Sequence, residues 1–155
     1  VIGGLNLDAF PAIGKAKDIT IVGYGASELE AVLNKHASAE GKYLAPDKKP
    51  EAGYFYRSDH ISFAKRGVPV LYADGGFDLV EGGKEAGFII EEQYRLDAYH
   101  GVGDEYDESW NLDGLNQSID VIFNISNELA NSSQWPNWYD GNEFKSIRDI
   151  SRSGK

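Results

Sequence analysis

Two short stretches of the sequence carry residue types that can hold a metal ion. Asp8 ends the apolar run VIGGLNL, and His100 follows Tyr99 in a loop rich in glycine and acids. Zinc accepts carboxylate oxygens and neutral imidazole nitrogens, and the second nitrogen of a ligand histidine normally needs an oxygen partner, which Asp104 or Asp107 could supply. Taken singly, Asp8 is more simply a turn residue and His100 a solvated loop residue.

A third stretch, RSDHISF, has two interpretations. The first makes Ser58 or Asp59 the N-cap of a short helix with His60 in its first turn. The second places Asp59 at the mouth of a site, with Arg57 holding an anionic group. Without further context, the spacing favours the helix start.

The composition narrows the kind of protein this can be. The 155 residues are enough for one domain, and the formal charge of −10 argues against a nucleic-acid partner, whose phosphates would be repelled. No apolar run approaches the ~18 residues of a membrane span. With no cysteine, the chain can bind a metal only through histidine and carboxylates. It also lacks methionine, even at position 1, and opens on an apolar run, so we expect a piece of a longer protein.

Three stretches are predicted to be helical. Ser27 and Glu30 have the spacing of a capping box and start the first helix. The short helix of RSDHISF ends at Gly67. Asn111 caps the third, which runs to about residue 131. Its side chains predicted to point inward are Leu115, Ile119, Ile122 and Leu129.

Strands alternate with these helices and predict an α/β fold. The apolar and β-branched runs at 1–7, 18–24 and 69–73 indicate strands, and a further one opens YFYRSDHISF. The expected architecture is a mixed sheet between two helical layers, a three-layer α/β/α sandwich. The remaining segments are predicted to be polar loops at 41–53 and 75–87 and a tail with two of the three tryptophans, which ends in a polar run that frays.

The order and spacing of these motifs are more specific than any one of them. The motifs are, in chain order, NLD, RSDHISFAKRGVP, and YH followed by a Gly-rich segment and Asp104. Together they resemble the second half of the co-catalytic dizinc aminopeptidases of metallopeptidase clan MH, which includes the glutaminyl cyclases. The resemblance spans about residues 1–130. The tail WPNWYDGNEF resembles the ending of certain secreted or periplasmic bacterial members. Residues 1–155 are therefore expected to be the C-terminal part of an exported zinc peptidase catalytic domain, with an extension over about 133–155.

The resemblance also implies roles for individual residues. Asp8 would bind one zinc ion and His100 the other. The hydroxyl of Tyr99 would hydrogen-bond the tetrahedral intermediate of peptide hydrolysis. The residues implied to lie near the substrate or to support the ligands are Arg57, Asp59 and Asp104.

The same resemblance implies an incomplete site. The family's early histidine, bridging aspartate and Glu-Glu pair precede its NLD motif, whereas Glu91-Glu92 follows it here and is interpreted as a surface pair. Two of five expected ligands are present and the general base is not, so the chain alone is expected to be an inactive part of a zinc-dependent aminopeptidase. Its expected partners are a peptide substrate and either a second copy of itself or the missing N-terminal portion.

Two other functions stay open. A non-catalytic aminopeptidase-like binding or ectodomain module would need no complete site, and a glutaminyl cyclase would use similar ligands for another reaction. The presence of Asp8, Tyr99 and His100 together favours a peptidase, because a module without chemistry has no need of metal ligands.

Overall fold

Four strands form one mixed sheet in the described part of the chain. The computed structural model describes residues 1–8 and 12–153. The strands are β1 (Gly4–Asn6), β2 (Asp18–Val22), β3 (Tyr43–Pro46) and β4 (Val70–Gly75). Their order is β1-β4-β2-β3, with β1 parallel to β4, β2 antiparallel to β4 and β3 parallel to β2.

Helices occupy most of the connections between and after the strands. In the described residues they are α1 (Leu29–Ala39), α2 (Tyr54–Arg57), α3 (Ile61–Ala64), α4 (Gly83–Asp97), α5 (Asp113–Asn131) and α6 (Lys145–Arg152). None of these helices combines the length and the apolar character that crossing a bilayer requires. The mixed sheet and the helices that connect and follow its strands confirm the predicted α/β class.

Alternation along β2 places apolar side chains on both faces of the sheet. Ile19 and Ile21 pack with residues of α1 and α5 in one apolar cluster. Val22 joins a second cluster, which contains Phe55 of α2 and Ala64 of α3. Because successive strand side chains point to opposite faces, a strand buried on both sides is apolar nearly throughout. Helices therefore lie against both faces of the sheet.

The start of α1 depends on Glu30 rather than on Ser27. The Glu30 carboxylate accepts the backbone N–H of Gly25 at 2.9 Å, of Ala26 at 2.7 Å and of Ser27 at 3.3 Å. The N-cap residue of α1, Glu28, makes no capping hydrogen bond through its side chain. The predicted capping box is thus half formed, since the acid contributes its bond and the serine hydroxyl does not.

Three other segments differ from the sequence prediction because tertiary contacts decide them. Residues 54–57, predicted to begin as a strand, form α2. The predicted loops at 41–53 and 75–87 contain β3 and the start of α4. β3 has no apolar alternation of its own, and it is a strand because β2 offers a row of backbone groups to pair with.

Helix α5 begins near the predicted cap and buries a stripe that overlaps the predicted one. Asn111 Oδ1 accepts the backbone N–H of Asp113 at 3.1 Å. Ile119, predicted to point inward, is 51% exposed. The buried residues are Ser118, Val121, Ile125 and Leu129. Leu129 is buried as predicted, and Ile122 packs against the apolar cluster, so the prediction is wrong for Ile119, which the contact of α5 with α1 and the sheet leaves outside.

The C-terminal segment packs on the domain, and α6 continues to Arg152 through the polar run predicted to fray. Trp138 is fully buried, and its Nε1–H donates to the Gly67 carbonyl at 3.1 Å. Phe144 joins the apolar cluster around Phe55. The backbone N–H of Tyr139 donates to the Ala26 carbonyl at 3.0 Å. The segment is polar in overall sequence, but burial of two aromatic side chains, Trp138 and Phe144, anchors it to the domain.

A buried arginine ties the C-terminal segment to the N-terminal residues. Arg148 of α6 is 4% exposed, and its guanidinium donates to the carbonyls of Val1 at 3.0 Å, Ile2 at 2.6 Å and Pro136 at 3.0 Å. Burial lowers the pKa of Arg148 from its usual value. The carbonyl oxygens compensate for that desolvation, because they are the partners that a buried cation needs.

Replacing Arg148 with methionine is expected to lower the free energy of unfolding by about 2–4 kcal/mol, because the carbonyls lose charged donors while the aliphatic volume is kept. Urea denaturation measures this loss. The matched control is Arg152→Met, since Arg152 stacks on the ring of Trp135 at 3.7 Å and should cost less than about 1 kcal/mol. Equal losses for the two variants would contradict the role given to Arg148.

Candidate functional site

Asp8 lies just past the end of β1, as the sequence predicts. Asn6 at the end of β1 is in register with Tyr72 of β4. The Asp8 carboxylate is exposed and accepts the hydroxyl hydrogen of Tyr72 at 3.0 Å. Burial raises the pKa of Tyr72, so this hydroxyl remains a donor. The bond holds an exposed aspartate against the sheet without using its second oxygen.

A second carboxylate, Asp74 near the end of β4, was not singled out from the sequence. Its Oδ1 is buried and has no hydrogen-bond partner within the described residues. Burial raises the pKa of Asp74 to about 7, with further contributions from the negative charges of Asp8 and Asp47, while the guanidinium of Arg95 opposes the shift. An acid inside the apolar run VPVLYAD was the signal that could have revealed it, since charged residues are rarely buried without a reason.

Helix α4 brings an ion-pair network to the same region. Glu91 accepts from Lys48 Nζ at 2.5 Å and from Arg95 at 3.0 Å. These two bonds outweigh the effect of burial and lower the pKa of Glu91. Glu92 is exposed and pairs with Lys49 at 3.1 Å. The sequence interpretation of a surface pair is therefore right for Glu92 and wrong for Glu91, which α4 turns inward toward two cations.

Tyr99 and His100 follow the end of α4 and stack on each other. Their ring centroids are 3.9 Å apart with an interplanar angle of 18°. The guanidinium of Arg95 lies 5.4 Å from the centroid of the Tyr99 ring. His100 has φ = +59°, in the left-handed region that non-glycine residues seldom adopt. Such a backbone costs energy and is most common at functional positions.

Asp104 supports this loop in a way that differs from the sequence expectation. Its carboxylate accepts the backbone N–H of His100 at 3.3 Å rather than a ring nitrogen. It also accepts the hydroxyl hydrogen of Tyr94 at 2.7 Å, which raises the pKa of Tyr94 to about 12. Asp107 accepts the backbone N–H of Ser109 and is likewise not aimed at the imidazole. Asp104 thus orders the backbone of the loop that carries the histidine.

The RSDH stretch begins with the last residue of α2, Arg57, and continues to the start of α3. The side chain of Arg57 is exposed and donates to the Ala52 carbonyl at 3.4 Å. The Ser58 hydroxyl donates back to the Tyr54 carbonyl at 2.9 Å, so neither it nor the exposed Asp59 caps a helix. The predicted helix start near Ser58 is therefore wrong, and α3 begins at Ile61.

His60 is the most enclosed of the three histidines. It is 3% exposed, and its ring lies 4.6 Å from that of Phe55 and 5.3 Å from that of Tyr72, centroid to centroid. Neither ring nitrogen has a hydrogen-bond partner within the described residues. Burial lowers its pKa, against the opposing charges of Asp59 and Asp8. The imidazole is consequently neutral and acts as part of the wall behind Tyr72 and Asp8.

The structure links the predicted residues through side chains that the sequence did not indicate. The charges of Asp8 and Arg95 both act on Asp74. Arg95 in turn packs on Tyr99, whose ring stacks on His100. Arg57 is connected to this set through Tyr54, because the guanidinium groups of Arg57 and Arg95 lie 6.0 Å and 5.7 Å from the centroid of that ring.

The side chains of Asp8 and His100 are of the types that bind zinc, but they are fewer than the ligands a zinc ion needs. Asp8 offers carboxylate oxygen and His100 offers imidazole nitrogen, which are the donors zinc takes in catalytic sites. A catalytic zinc needs three protein ligands. Within residues 1–8 and 12–153, no three histidine or acidic side chains are arranged to hold a metal ion. The described residues therefore do not complete a zinc site by themselves.

Comparison with known proteins assigns the chain to a class and to a family. The model of Peptidase family M28, a family of zinc-dependent metallopeptidases, matches residues 1–126. The match covers most of the chain, so the chain belongs to Peptidase family M28, and the predicted family is confirmed. Searches of curated proteins and of solved structures found no match.

Proposed function

We propose that this chain forms part of an aminopeptidase in which Asp8 and His100 are ligands of a dizinc centre. The observation that carries the proposal is the match to Peptidase family M28 over residues 1–126, which includes both residues. Zinc in such a centre supplies Lewis acidity and an ionisable water. The remaining ligands and the general base would precede β1 in the full-length protein, and the isolated chain would be inactive.

The residues of this chain would hold and orient the substrate. The Tyr99 hydroxyl would donate to the oxygen of the scissile carbonyl as negative charge develops on it. Arg57 and Asp59 would lie at the approach to the site, where their side chains are exposed. The bond from Asp104 to the His100 backbone and the stacking of Tyr99 on the imidazole support a positioned loop.

The proposal includes a partner for surfaces that the described residues leave open. Ile119 and Phe123 on α5 are 51% and 66% exposed, and β1 is an edge strand. We propose that the N-terminal portion of the full-length protein, or a second copy of it, covers them. The proposed location is secreted or periplasmic, on the resemblance of the WPNWYDGNEF tail.

Metal analysis of the full-length protein, combined with peptide hydrolysis before and after chelation, tests the proposed function. We expect two zinc ions per chain, loss of hydrolysis of N-terminal residues on chelation and its return with zinc. Hydrolysis that persists in the metal-free protein would overturn the proposal. Zinc binding without hydrolysis would also overturn it, and cyclisation of an N-terminal glutamine would then identify a cyclase.

A further inference from the structure

A tyrosine of β4 contacts the proposed metal ligand Asp8. The Tyr72 hydroxyl donates to Asp8 Oδ2 at 3.0 Å. Within residues 1–8 and 12–153, Oδ1 of the same carboxylate accepts no hydrogen bond. Because Asp8 is exposed, its two oxygens have different surroundings. One oxygen is held by the sheet, and the other is open to a further partner.

The sheet fixes the position of this hydroxyl. Tyr72 is 5% exposed, and its backbone is in register with Asn6 of β1 on one side and with Val22 of β2 on the other. A strand paired on both sides cannot slip by one residue without turning its side chains to the opposite face of the sheet. Tyr72 therefore keeps its side chain on the face from which it reaches Asp8.

Packing around the ring of Tyr72 restricts it further. The His60 ring lies edge-on to it at 5.3 Å, and the Phe55 ring lies against His60 at 4.6 Å, centroid to centroid. Neither nitrogen of His60 has a hydrogen-bond partner within the described residues, so the imidazole packs on the tyrosine without accepting its hydroxyl hydrogen. Close packing of this kind holds a ring in one orientation, and the hydroxyl hydrogen goes to Asp8.

The Tyr72 bond is of the kind that orients a metal-binding carboxylate. Such carboxylates are usually hydrogen-bonded by a second protein group, which fixes the direction of the ligand. An exposed aspartate without that group rotates among several staggered conformations, and a metal ion has to order it on binding. The bond orders Asp8 beforehand and engages one of its two oxygens.

We propose that Tyr72 is a positioning residue for the metal ligand Asp8, because its hydroxyl holds Oδ2 and leaves Oδ1 for the metal ion. The inference rests on the proposed function for the identity of Asp8 as a ligand. It goes beyond that function by giving a role to a buried side chain of β4 that acts on the metal only through another residue.

The zinc affinity of the full-length protein, measured by competition with chelators of graded strength, tests this inference without relying on catalysis. Tyr72→Phe removes the hydroxyl and keeps the ring that packs on His60. We expect the dissociation constant of one zinc ion to rise about 10- to 100-fold, the range for losing the outer partner of a metal ligand.

The same substitution in an Asp8→Ala protein distinguishes positioning from a merely structural role. Without the carboxylate, the hydroxyl has no ligand to orient, so Tyr72→Phe should change the zinc dissociation constants by a factor of about one. A tyrosine that only stabilised the fold would weaken zinc binding in both backgrounds. Equal losses in the two backgrounds would therefore overturn the inference.

The matched control is Tyr43→Phe on β3, the strand at the opposite edge of the sheet from β1. Tyr43 also donates its hydroxyl hydrogen to an aspartate, Asp78, at 2.9 Å. Its loss should leave both zinc dissociation constants within about twofold, since the two sites share no partner.

Failure of the inference and failure of the proposed function give different results. If Asp8→Ala weakens zinc binding and Tyr72→Phe does not, the inference is overturned and Asp8 remains a ligand. If Asp8→Ala leaves both zinc dissociation constants unchanged, Asp8 is not a ligand, and the proposed function falls together with the inference.

Discussion

His100→Ala in the full-length protein is expected to remove one of two bound zinc ions and to lower kcat/KM for peptide hydrolysis by at least about 1,000-fold. A metal ion contributes several kcal/mol of transition-state stabilisation, and each 1.36 kcal/mol is a factor of ten in rate. The imidazole stacks on Tyr99 and is carried by a residue with φ = +59°, a conformation that the Asp104 bond to its N–H supports.

Metal content by mass spectrometry and steady-state hydrolysis measure the two effects together. The matched control is His36→Ala. His36 lies on α1 and bonds Glu128 of α5 at 2.7 Å, away from the residues around Asp8 and Asp74. Its loss should leave both metals bound and activity within about twofold, because Lys35 remains to pair with Glu128 at 2.7 Å. Two zinc ions retained by His100→Ala would refute its assignment as a ligand.

Tyr99→Phe is expected to lower kcat by roughly 10- to 1,000-fold with both metals retained, the range for losing one oxyanion donor. The substitution removes only the hydroxyl. Phenylalanine keeps the ring that stacks on His100 at 3.9 Å and receives the guanidinium of Arg95 at 5.4 Å, so the loop should stay in place. A lower kcat with little change in KM would identify an interaction made mainly in the transition state.

Tyr106→Phe provides the comparison for this second variant. Tyr106 is 71% exposed and makes an edge contact with Trp110, so loss of its hydroxyl should leave kcat unchanged within about twofold. If Tyr99→Phe behaved in the same way, the hydroxyl of Tyr99 would have no part in stabilising the intermediate. Loss of zinc from Tyr99→Phe would instead show that the hydroxyl helps to hold His100 in place, which contradicts a role confined to the intermediate. Tyr99→Leu, which removes the stacking as well, then measures the contribution of the ring through metal content.

The strands and helices that sequence analysis identified are those with strong local signals. β2 is apolar and β-branched, α1 has its inner residues at helical spacing, and Asn111 marks the start of α5. The family followed from motifs whose residues are close together in the chain, and the match over residues 1–126 confirmed it. Sequence analysis missed β3 and the packing of the C-terminal segment, because both depend on partners far away in the chain. It also missed α4, although the i,i+4 pair of Glu91 and Arg95 is a local helix signal.

The sequence by itself determined the α/β class, the family and the residue types offered at Asp8, Tyr99 and His100. Tertiary structure alone decided which groups surround them. It placed Asp74 where burial and Asp8 raise its pKa to about 7, and it turned Glu91 toward Lys48 and Arg95. The physical reason is that periodicity and turn chemistry act between neighbours in the chain, whereas burial and charge pairing depend on residues brought together only by the folded sheet.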